Sequence, residues 1–298
     1  MVSLPSIAIL GTGSMGGAIL AGLTAPSVSV DGRIKVTNRT LEKARPLSSA
    51  AVESFALAET PDANRLAVAG ARLVIIGVKP VMVPDLLREI ADALEPDAIV
   101  VSVAAAVTTA TMESIVTGSV LRAMPNTPAV VGRAVTGLAA GTRATSTEIA
   151  LGRALFETVG TVLEVPEDKI DALSTISGSG PAYVFYFIEE LTRTAVDLGF
   201  TDDEAAVMVN GTFLGAAELL VSSGVDPAEL RRRVTSPKGT TERAIGVLES
   251  ADLKDLFDRA TAAALARAKE LAASRNARRR TPPTGGRRQV TSAPIFTI

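Results

Sequence analysis

Short, fully apolar runs rich in β-branched residues alternate with helical stretches through the first half of the chain. We predict strands at residues 7–10, 34–37, 73–78, 99–103, 120–124, 135–139 and 162–165. Strands that are apolar on both faces and are separated by helices are typical of a mostly parallel sheet covered on both sides. The sequence therefore predicts an α/β domain over residues 1–165.

Strand signals stop after Glu167, apart from an ambiguous apolar run at 183–188 that continues with helical spacing. We therefore predict an all-helical domain over residues 166–274, with Asp202 and Asp226 as N-caps. Its predicted helices are 167–198, 202–222, 227–234, 240–248 and 252–274. Residues 182–188 leave little polar surface, and a helix that is apolar all round must be buried. A region this small offers few places to bury it, so we expect a homodimer that shares these helices, or a larger assembly of such dimers.

Charge is distributed unevenly along the chain. Residues 275–298 hold six arginines and no acidic residue, and we expect them to form a basic, disordered tail. The rest of the chain has 24 basic and 32 acidic residues, a net charge of −8, which argues against nucleic acid as a partner. The longest apolar runs are much shorter than the roughly 20 residues of a membrane helix, and no signal peptide is recognisable. We expect a cytoplasmic protein that does not contact membranes.

The chain contains no histidine, no cysteine and no tryptophan. This composition excludes disulfides, thiolate nucleophiles and zinc sites built from cysteine or histidine, so we expect no such metal site. It also excludes any mechanism in which an imidazole carries a proton. Chemistry in this protein must therefore use carboxylates, hydroxyls, lysine, backbone amides or a bound cofactor.

A glycine-rich turn directly follows the first predicted strand. It reads Gly11-Thr12-Gly13-Ser14-Met15-Gly16 and opens a helical stretch, which is G-x-G-x-x-G in the context that dinucleotide binding requires. The first glycine permits the tight turn, the second lets the backbone approach a pyrophosphate, and the third allows the helix to pack closely. The helix N-terminus adds free amides. We predict a Rossmann-type NAD(P)-binding domain whose cofactor contacts residues 11–16; the alternative is a purely structural turn.

The end of the second strand indicates which dinucleotide is bound. In an NAD enzyme this strand ends in an acid that binds the ribose hydroxyls. Here it ends in Asn38-Arg39-Thr40, which suits a 2′-phosphate because arginine can pair with phosphate through two hydrogen bonds. We therefore favour NADPH, with NADH kept as an alternative in which Arg39 is only a solvated residue. The ends of the next two strands, 78–80 and 104–106, should also face the cofactor.

Two segments of the helical half are rich in small polar residues that helix packing alone would not require. The first, 177–183, reads Ser-Gly-Ser-Gly-Pro-Ala-Tyr, which a helix kink could also explain. The second, 235–241, reads Thr-Ser-Pro-Lys-Gly-Thr-Thr and precedes a helix. The free amides of that helix, with the hydroxyls of Thr240 and Thr241, suit an anion. We predict an anion site at 235–241.

With these motifs the sequence resembles the pyrroline-5-carboxylate reductase family. The resemblance extends from about residue 7 to residue 271 and is most specific at 170–172 leading into 177–183, and at 234–241. Gly-Val-Lys-Pro at 77–80 and Met-Pro-Asn-Thr-Pro at 124–128 are also similar to that family. The resemblance implies NADPH-dependent reduction of the cyclic imine (S)-1-pyrroline-5-carboxylate to L-proline, the last step of proline biosynthesis. It also implies an N-terminal Rossmann-type domain and a C-terminal helical dimerisation domain, which agrees with the division above.

The resemblance further implies roles for individual residues. Thr241 matches the threonine whose hydroxyl meets the ring nitrogen of the substrate, and we assign it the catalytic role. Residues near the substrate, including the cradle for its carboxylate, match Glu167, Ser177, Gly239, Thr240 and Thr241. The adenosine side of the NADPH site matches Asn38, Arg39, Thr40 and Asn64. The nicotinamide side matches Val78, Lys79, Pro80, Ala104 and Ala105.

The chain departs from the family pattern at three positions. Lys238 stands where the family usually has glycine, Ala106 replaces a common glycine, and Arg233 occupies a position that sometimes contacts the cofactor. If residue 238 needs a positive φ, lysine is strained there by about 1 kcal/mol or more. Lys238 also places a cation beside the expected carboxylate site. These departures bear on the choice of substrate and on efficiency rather than on the family.

Three alternatives stay open. A related NADPH-dependent imine reductase with an altered substrate would be consistent with Lys238. A β-hydroxyacid dehydrogenase would carry a catalytic lysine a few residues after Gly180, whereas the next lysine is Lys238. A non-catalytic NADP(H)-sensing protein would not need the full set of polar residues at 235–241.

Overall fold

The computed structural model describes residues 2–280, and the side chains of residues 2–270. The strands in this range are β1 (Val2–Leu4), β2 (Ile7–Leu10), β3 (Val28–Val30), β4 (Ile34–Asn38), β5 (Val52–Ala56), β6 (Leu73–Ile76), β7 (Ile99–Ser102), β8 (Ser119–Met124), β9 (Ala134–Ala140) and β10 (Gly160–Glu164). The main sheet has the order β10-β9-β8-β7-β6-β2-β4-β5, and its only antiparallel pair is β8 with β9. The mostly parallel sheet predicted from the sequence is confirmed.

Helices connect the strands and make up the region after β10. The α-helices are α1 (Ser14–Leu23), α2 (Leu41–Ala44), α3 (Ala63–Val68), α4 (Val83–Ile90), α5 (Thr109–Glu113), α6 (Ser146–Glu157), α7 (Ile170–Leu173), α8 (Gly180–Asp197), α9 (Asp202–Ser223), α10 (Pro227–Arg233), α11 (Thr240–Ser250) and α12 (Leu253–Arg280). Short 3₁₀ turns occupy Arg45–Leu47, Pro80–Met82, Thr127–Val131 and Glu167–Lys169, and a π turn occupies Ser174–Gly178. The helical region expected after the sheet is therefore present.

Successive residues of the central strands enter two separate cores, one on each face of the sheet. In β2, Ile7 and Ile9 pack into one core, while Ala8 and Leu10 pack into the other. All four residues of β2 are buried, as are all four of β6. Burial on both faces explains why these strands are unbroken apolar runs in the sequence.

The sequence does not predict β1, β3 and β5. The first two form a small separate parallel sheet, and β5 is the edge strand beside β4. Strand β5 reads Val-Glu-Ser-Phe-Ala, and only Val52 and Ala56 are buried. An edge strand with polar residues at its centre lacks the apolar run that marks a central strand.

The single helix predicted over 167–198 is wrong in detail, because the structure divides it into four pieces. The 3₁₀ turn Glu167–Lys169 leads into α7, the π turn Ser174–Gly178 follows, and α8 starts at Gly180. Pro181 has no amide hydrogen to donate, so it suits the first turn of a new helix rather than a helix interior. The ambiguous run at 183–188 is helical and lies within α8.

The N-cap of α9 is Thr201, so the prediction of Asp202 is wrong. Thr201 and Glu204 form a capping box, in which the Thr201 hydroxyl oxygen accepts from the Glu204 amide and the Glu204 carboxylate accepts from the Thr201 amide. The other N-cap is confirmed. Asp226 Oδ1 accepts a hydrogen bond from the Ala228 amide at 2.9 Å, and Pro227 occupies the first helical position.

Helix α12 is longer than predicted. It ends at Arg280 rather than at residue 274, so residues 275–280, which we expected in the disordered tail, are helical instead. The rest of the expected tail, residues 281–298, lies outside the described part of the chain.

The long helices α8 and α9 pack against each other but leave much of their apolar surface exposed. Their buried residues are Ala195, Ala205 and Val209, although both helices are rich in large apolar side chains. By length and composition, α9 could cross a membrane, with a mean hydropathy of 1.5 over its most apolar window. The sequence does not contain an unbroken apolar run as long as α9, because acidic residues stand at 202–204 and at Glu218.

Candidate active site

The glycine-rich turn between β2 and α1 has the geometry of a phosphate cradle. Gly11 adopts φ +93°, which a residue with a side chain rarely adopts. A Cβ on Gly16 would lie 2.5 Å from the Gly11 carbonyl oxygen, so glycine is required for the helix to start this close to the strand. Gly13 is the N-cap of α1, is exposed, and has nothing within 4 Å of a Cβ built on it. The helix N-terminus is therefore accessible to an anion.

Two side-chain hydrogen bonds connect the end of β4 to this turn and to α3. Asn38 is buried, and its side-chain amide donates to the Thr12 hydroxyl, which connects the end of β4 to the glycine turn. The Thr37 hydroxyl donates to Asn64 Oδ1 at 2.8 Å, and Asn64 Nδ2 donates to Glu89 at 3.0 Å. Arg39 follows directly and is exposed. The residues expected on the adenosine side therefore lie close together at the end of β4. Among them, Arg39 carries a charge, and its side chain is exposed to solvent.

The end of β6 lies next to the glycine turn, and the end of β7 lies beside the end of β6. Gly77, which follows β6, donates its amide to the Leu10 carbonyl at 2.8 Å, and a Cβ there would lie 2.4 Å from the Gly11 carbonyl oxygen. Lys79 is exposed and precedes the 3₁₀ turn Pro80–Met82, while Ala105 after β7 is exposed as well. Beyond it, Ala106 adopts φ +57°. The alanine that replaces a family glycine therefore stands where glycine is favoured.

The turn at 235–241 is the second candidate element. Gly239 is the N-cap of α11 with extended backbone, and no side chain caps the helix. Thr240 and Thr241 are exposed, and the described contacts give their hydroxyls no hydrogen-bond partner. Lys238 adopts φ +63°, and its amide donates to Glu242 Oε2 at 2.8 Å. Residue 238 therefore has the positive φ on which the expected strain of a lysine depends.

The first polar segment, 177–183, starts at the end of the π turn Ser174–Gly178 and continues into α8. The π turn is held on the sheet by a residue that sequence reasoning did not select. Asn126, just after β8, donates through Nδ2 to the Ser177 carbonyl at 2.9 Å, and its Oδ1 accepts from the Val135 amide at 2.9 Å. Asn126 is buried. The Met-Pro-Asn-Thr-Pro stretch that contains Asn126 indicates the family, but it does not indicate the contact between Asn126 and Ser177.

A buried arginine, also not selected from the sequence, binds the acid expected near the substrate. Arg122 in β8 donates from Nη1 to Glu167 Oε1 at 2.8 Å and from Nη2 to Asp171 Oδ1 at 2.6 Å. Arg122 is 3% exposed. A charged residue inside the apolar run 120–124 was the signal that could have found it, since a buried charge requires partners.

The structure brings together some of the predicted site residues but not all of them. The glycine turn, Asn38 and the ends of β4, β6 and β7 lie at one edge of the sheet, and the π turn with Ser177 packs beside the end of β8. Among residues 2–270, no hydrogen bond or ion pair connects residues 235–241 to the sheet. Within one chain, the second element is thus separate from the first.

Comparison with known proteins gives a consistent result. A family model described as pyrroline-5-carboxylate reductase dimerisation matches residues 167–271, and one described as NADP oxidoreductase, coenzyme F420-dependent, matches residues 6–106. The pyrroline-5-carboxylate reductase of Pseudomonas aeruginosa is 35% identical over 274 residues, which cover 91% of this chain and 98% of the relative. The chain belongs to the pyrroline-5-carboxylate reductase family.

Two further members of the family are similar to the chain over nearly its whole described length. The pyrroline-5-carboxylate reductase of Corynebacterium melassecola is 36% identical over 273 residues, covering 90% of this chain and 99% of the relative. The solved structure of a pyrroline-5-carboxylate reductase from Coxiella burnetii has a TM-score of 0.83 at 38% identity and covers 90% of this chain and 98% of that one. The resemblance and the fold class expected from the sequence are confirmed.

Family membership also explains the exposed helices. The dimerisation match contains all of α8 and α9, whose apolar faces are open in the single chain. A homo-oligomeric interface accounts for the length and apolar character of α9 without a membrane. The expectation of a homodimer, drawn from the apolar run at 182–188, agrees with this match.

Proposed function

We propose that this chain reduces (S)-1-pyrroline-5-carboxylate to L-proline with NADPH, in the last step of proline biosynthesis. Membership of the family makes it an NAD(P)H-dependent oxidoreductase that acts on a C=N bond. The observation that carries the assignment of substrate is the N-terminus of α11, where Gly239 leaves the helix uncapped beside two exposed threonine hydroxyls. Such a helix end binds a carboxylate through its amides and its dipole.

The residues of the sheet domain fit a dinucleotide. Open space over Gly13, an uncapped α1 and the absence of acidic residues from its first turn suit a pyrophosphate. Exposed Arg39, at the end of β4, suits a 2′-phosphate and favours NADPH over NADH. The nicotinamide would lie between the ends of β6 and β7, beside Val78, Lys79, Pro80, Ala104 and Ala105. When bound, NADPH supplies the hydride.

The substrate site would bind an imine that carries a carboxylate. The amides of Thr240 and Thr241 would hold the carboxylate, whereas the Gly239 amide already donates to the Ser236 carbonyl at 3.0 Å. The Thr241 hydroxyl would hydrogen-bond the ring nitrogen, so that only a carboxylate-bearing imine is oriented for reduction. The reaction adds a hydride to the imine carbon and a proton to the nitrogen. A cyclic imine can take that proton from water before reduction, which is consistent with a chain that contains no histidine. Ser177 would lie beside the substrate in the π turn.

The assembly and location are part of the same proposal. Because residues 235–241 have no bonded contact with the sheet of their own chain, we infer that dimerisation completes the site, with larger assemblies built from such dimers. The net charge of −8 outside the last 24 residues supports a small-molecule enzyme rather than a nucleic-acid-binding protein. A cytoplasmic location would suit the substrate and the cofactor.

Lys238 favours a second candidate, an NADPH-dependent imine reductase with an altered substrate. Its ammonium group is exposed beside the cradle, and its backbone is in the left-handed region. A cation there would strengthen binding of an imine with more negative charge. NADPH oxidation with pyrroline-5-carboxylate, repeated with NADH and with the Lys238→Gly variant, separates the two. No turnover of pyrroline-5-carboxylate by either protein with either cofactor would defeat the main proposal.

Thr241 can be tested directly. We expect Thr241→Ala to lower kcat by about 100-fold, the scale of one lost transition-state hydrogen bond, while the affinity for NADPH stays the same. Thr240→Ala is the matched control, because it removes the neighbouring hydroxyl and should mainly raise KM for the imine. Steady-state kinetics and NADPH fluorescence titration measure both effects. An unchanged kcat in Thr241→Ala would remove the catalytic role from this residue.

A further inference from the structure

Arg122 is the most deeply buried charged residue near the candidate site. It lies in β8 beside Ser102, the last residue of β7, and beside Ala139 of β9. Its side chain is on the same face of the sheet as Met124, because alternate residues of a strand point to the same side. Neither the glycine motif nor the 235–241 turn includes it, so its burial calls for a separate explanation.

The guanidinium joins two carboxylates that belong to the start of the helical region. Glu167 comes from the 3₁₀ turn after β10 and Asp171 from α7, at 2.8 and 2.6 Å from the two terminal nitrogens of Arg122. A planar guanidinium can serve two acceptors at once, whereas an ammonium is a single point charge. The three side chains therefore form one cluster that connects the sheet to the helical region.

The cluster is not built for maximum stability. Arg122 Nε and Glu167 Oε2 are buried, and neither has a hydrogen-bond partner among the described residues. Replacing a buried ion cluster of this kind with apolar residues of similar volume is often neutral or stabilising. The cluster therefore points to a role in placing one segment against another.

The segment 167–178 has a second contact with the sheet domain, besides the Arg122 cluster. Between these two contacts it packs against the sheet. At its far end Asn126 holds the Ser177 carbonyl. Between these points, a Cβ on Gly137 of β9 would lie 2.7 Å from the nearer methyl carbon of Leu173, so α7 packs directly on the strand. Residues 167–178 are thus positioned by Arg122 of β8 at one end, by Asn126 just after β8 at the other, and by close packing in the middle.

The 167–178 segment and Arg122 together connect a residue proposed to lie beside the imine with one proposed to lie beside the nicotinamide. It ends in the π turn with Ser177, which we place beside the substrate. At the other side of Arg122, Ser102 accepts a hydrogen bond at 3.2 Å from the amide of Ala104, which we place beside the nicotinamide. One buried side chain therefore lies between the strand end that would flank the cofactor and the segment that would flank the imine.

We propose that Arg122 is a positioning residue for hydride transfer. By holding Glu167 and Asp171 together, it fixes the distance between the 167–178 segment and the 104–105 strand end, and Glu167 acts through Arg122 rather than on the substrate. This inference rests on the proposed function. A shift of about 1 Å in such a contact costs about 100-fold in rate, although no atom of Arg122 touches a reactant.

The decisive variant is Arg122→Lys, which keeps the charge but replaces two terminal nitrogens with one nitrogen on a shorter side chain, so it does not reproduce the two separate contacts with Glu167 and Asp171. We expect kcat for imine reduction to fall by about tenfold or more, while KM for the imine changes by less than about threefold. The dissociation constant for NADPH, measured by fluorescence, should stay the same because the glycine turn and Asn38 are untouched. Asp171→Asn, which retains an oxygen acceptor for Arg122 Nη2, should keep most of the wild-type kcat.

The chain offers a matched control at the opposite end of the sheet. Arg72, just before β6, also pairs with two carboxylates, Asp97 at 3.2 Å and Glu148 at 3.5 Å. Arg72→Lys should lower the midpoint of thermal unfolding as much as Arg122→Lys does, yet leave kcat at the wild-type value. Equal losses of kcat in the two variants would mean that both act through stability, which would overturn the proposal.

A measurement that does not depend on turnover completes the test. Amide hydrogen exchange should rise in residues 167–178 of Arg122→Lys, relative to wild type and to Arg72→Lys, and stay unchanged in residues 11–23. Wild-type protein without reductase activity would defeat the proposed function, and the exchange result would then decide the role of Arg122 in holding this segment. Unchanged exchange at 167–178 would overturn that role.

Discussion

The sheet domain and the helical region use apolar side chains in opposite ways. In the sheet, Ile75 and Val101 are fully buried by strands and helices of the same chain. In the helical region, Phe185 of α8 is 65% exposed and Val221 of α9 is 78% exposed. The first region is therefore completed by its own chain, whereas the second needs another surface to bury a comparable set of residues. Substitutions should have different consequences in the two regions.

The largest effect should come from placing a charge on the exposed face of α8. We expect Phe185→Asp to abolish the dimer at micromolar concentration and to reduce reductase activity at least about 100-fold, because a buried aromatic anchor contributes 2 kcal/mol or more to an interface. Light scattering after gel filtration measures the mass, and NADPH oxidation measures the activity.

Leu66→Asp is the control in the sheet domain. Leu66 of α3 is 50% exposed, so it matches Phe185 in being a large apolar residue at the surface of the single chain. We expect this variant to remain dimeric and active. If both variants kept their dimers, the exposed apolar face of α8 would not be an interface and the contrast between the two regions would fail.

The same contrast explains how much of the fold was predictable. Strands such as β2 and β6 are buried on both faces, so their apolar runs are visible in the sequence. The edge strand β5 is half polar, and the sequence gives no comparable signal for it. In the helical region the sequence predicted helices but not the break into α7, a π turn and α8. In the structure, Arg122 and Asn126 contact this segment from distant parts of the chain, and no local pattern indicates those contacts.

The candidate site was predictable where backbone geometry requires a particular residue type. Gly11 with its positive φ and Gly16 with its contact to a carbonyl are visible as a motif because only glycine fits. Arg122 and Asn126 are defined by partners 45 to 51 residues away in the sequence, and no local pattern reveals such a contact. The assignments of Glu167, Ser177, Thr241 and the cofactor residues stay predictions.

A smaller effect, on the free energy of unfolding, is expected when a non-glycine residue at a positive φ is replaced by glycine in each region. Lys238, in the helical region, and Ala106, in the sheet domain, adopt φ +63° and +57°. Relief of left-handed strain outweighs the greater freedom of glycine in the unfolded chain, so each substitution to glycine should raise the free energy of unfolding by about 0.5 to 1 kcal/mol. Urea denaturation measures the change.

The two glycine variants differ in what else they change. Ala106→Gly removes only a methyl group, so we expect kcat and KM to stay at their wild-type values. Lys238→Gly also removes a cation beside the proposed carboxylate site and should raise KM for pyrroline-5-carboxylate while stability increases. A stability loss in either variant would show that the backbone at that position is not strained.

The smallest expected effect concerns acid stability, and it again differs between the regions. Burial raises the pKa of Glu148 in α6, but hydrogen bonds from the Thr145 amide, the Ser119 hydroxyl and the Thr145 hydroxyl outweigh it, so the pKa is lowered overall. In the helical region, hydrogen bonds from Arg232 and Arg233 lower the pKa of Glu229 to about 2. Both carboxylates therefore stabilise the folded state above their ordinary pKa of 4.5, and this stability is lost as the pH falls through the folded-state value.

The carboxylate with the larger shift in pKa, Glu229, should not be the one that contributes more to the stability of the folded state. Glu148 is buried and closes the capping box of α6, so we expect Glu148→Gln to cost up to about 1 kcal/mol at pH 7 and to flatten the loss of stability below about pH 5. Glu229 pairs with arginines in solvent, where water and salt screen the charges, so Glu229→Gln should leave the pH profile nearly unchanged. Urea unfolding between about pH 3 and pH 7 measures both profiles. A flatter profile for Glu229→Gln than for Glu148→Gln would mean that the exposed arginine pairs of α10, rather than the buried cap of α6, control acid stability.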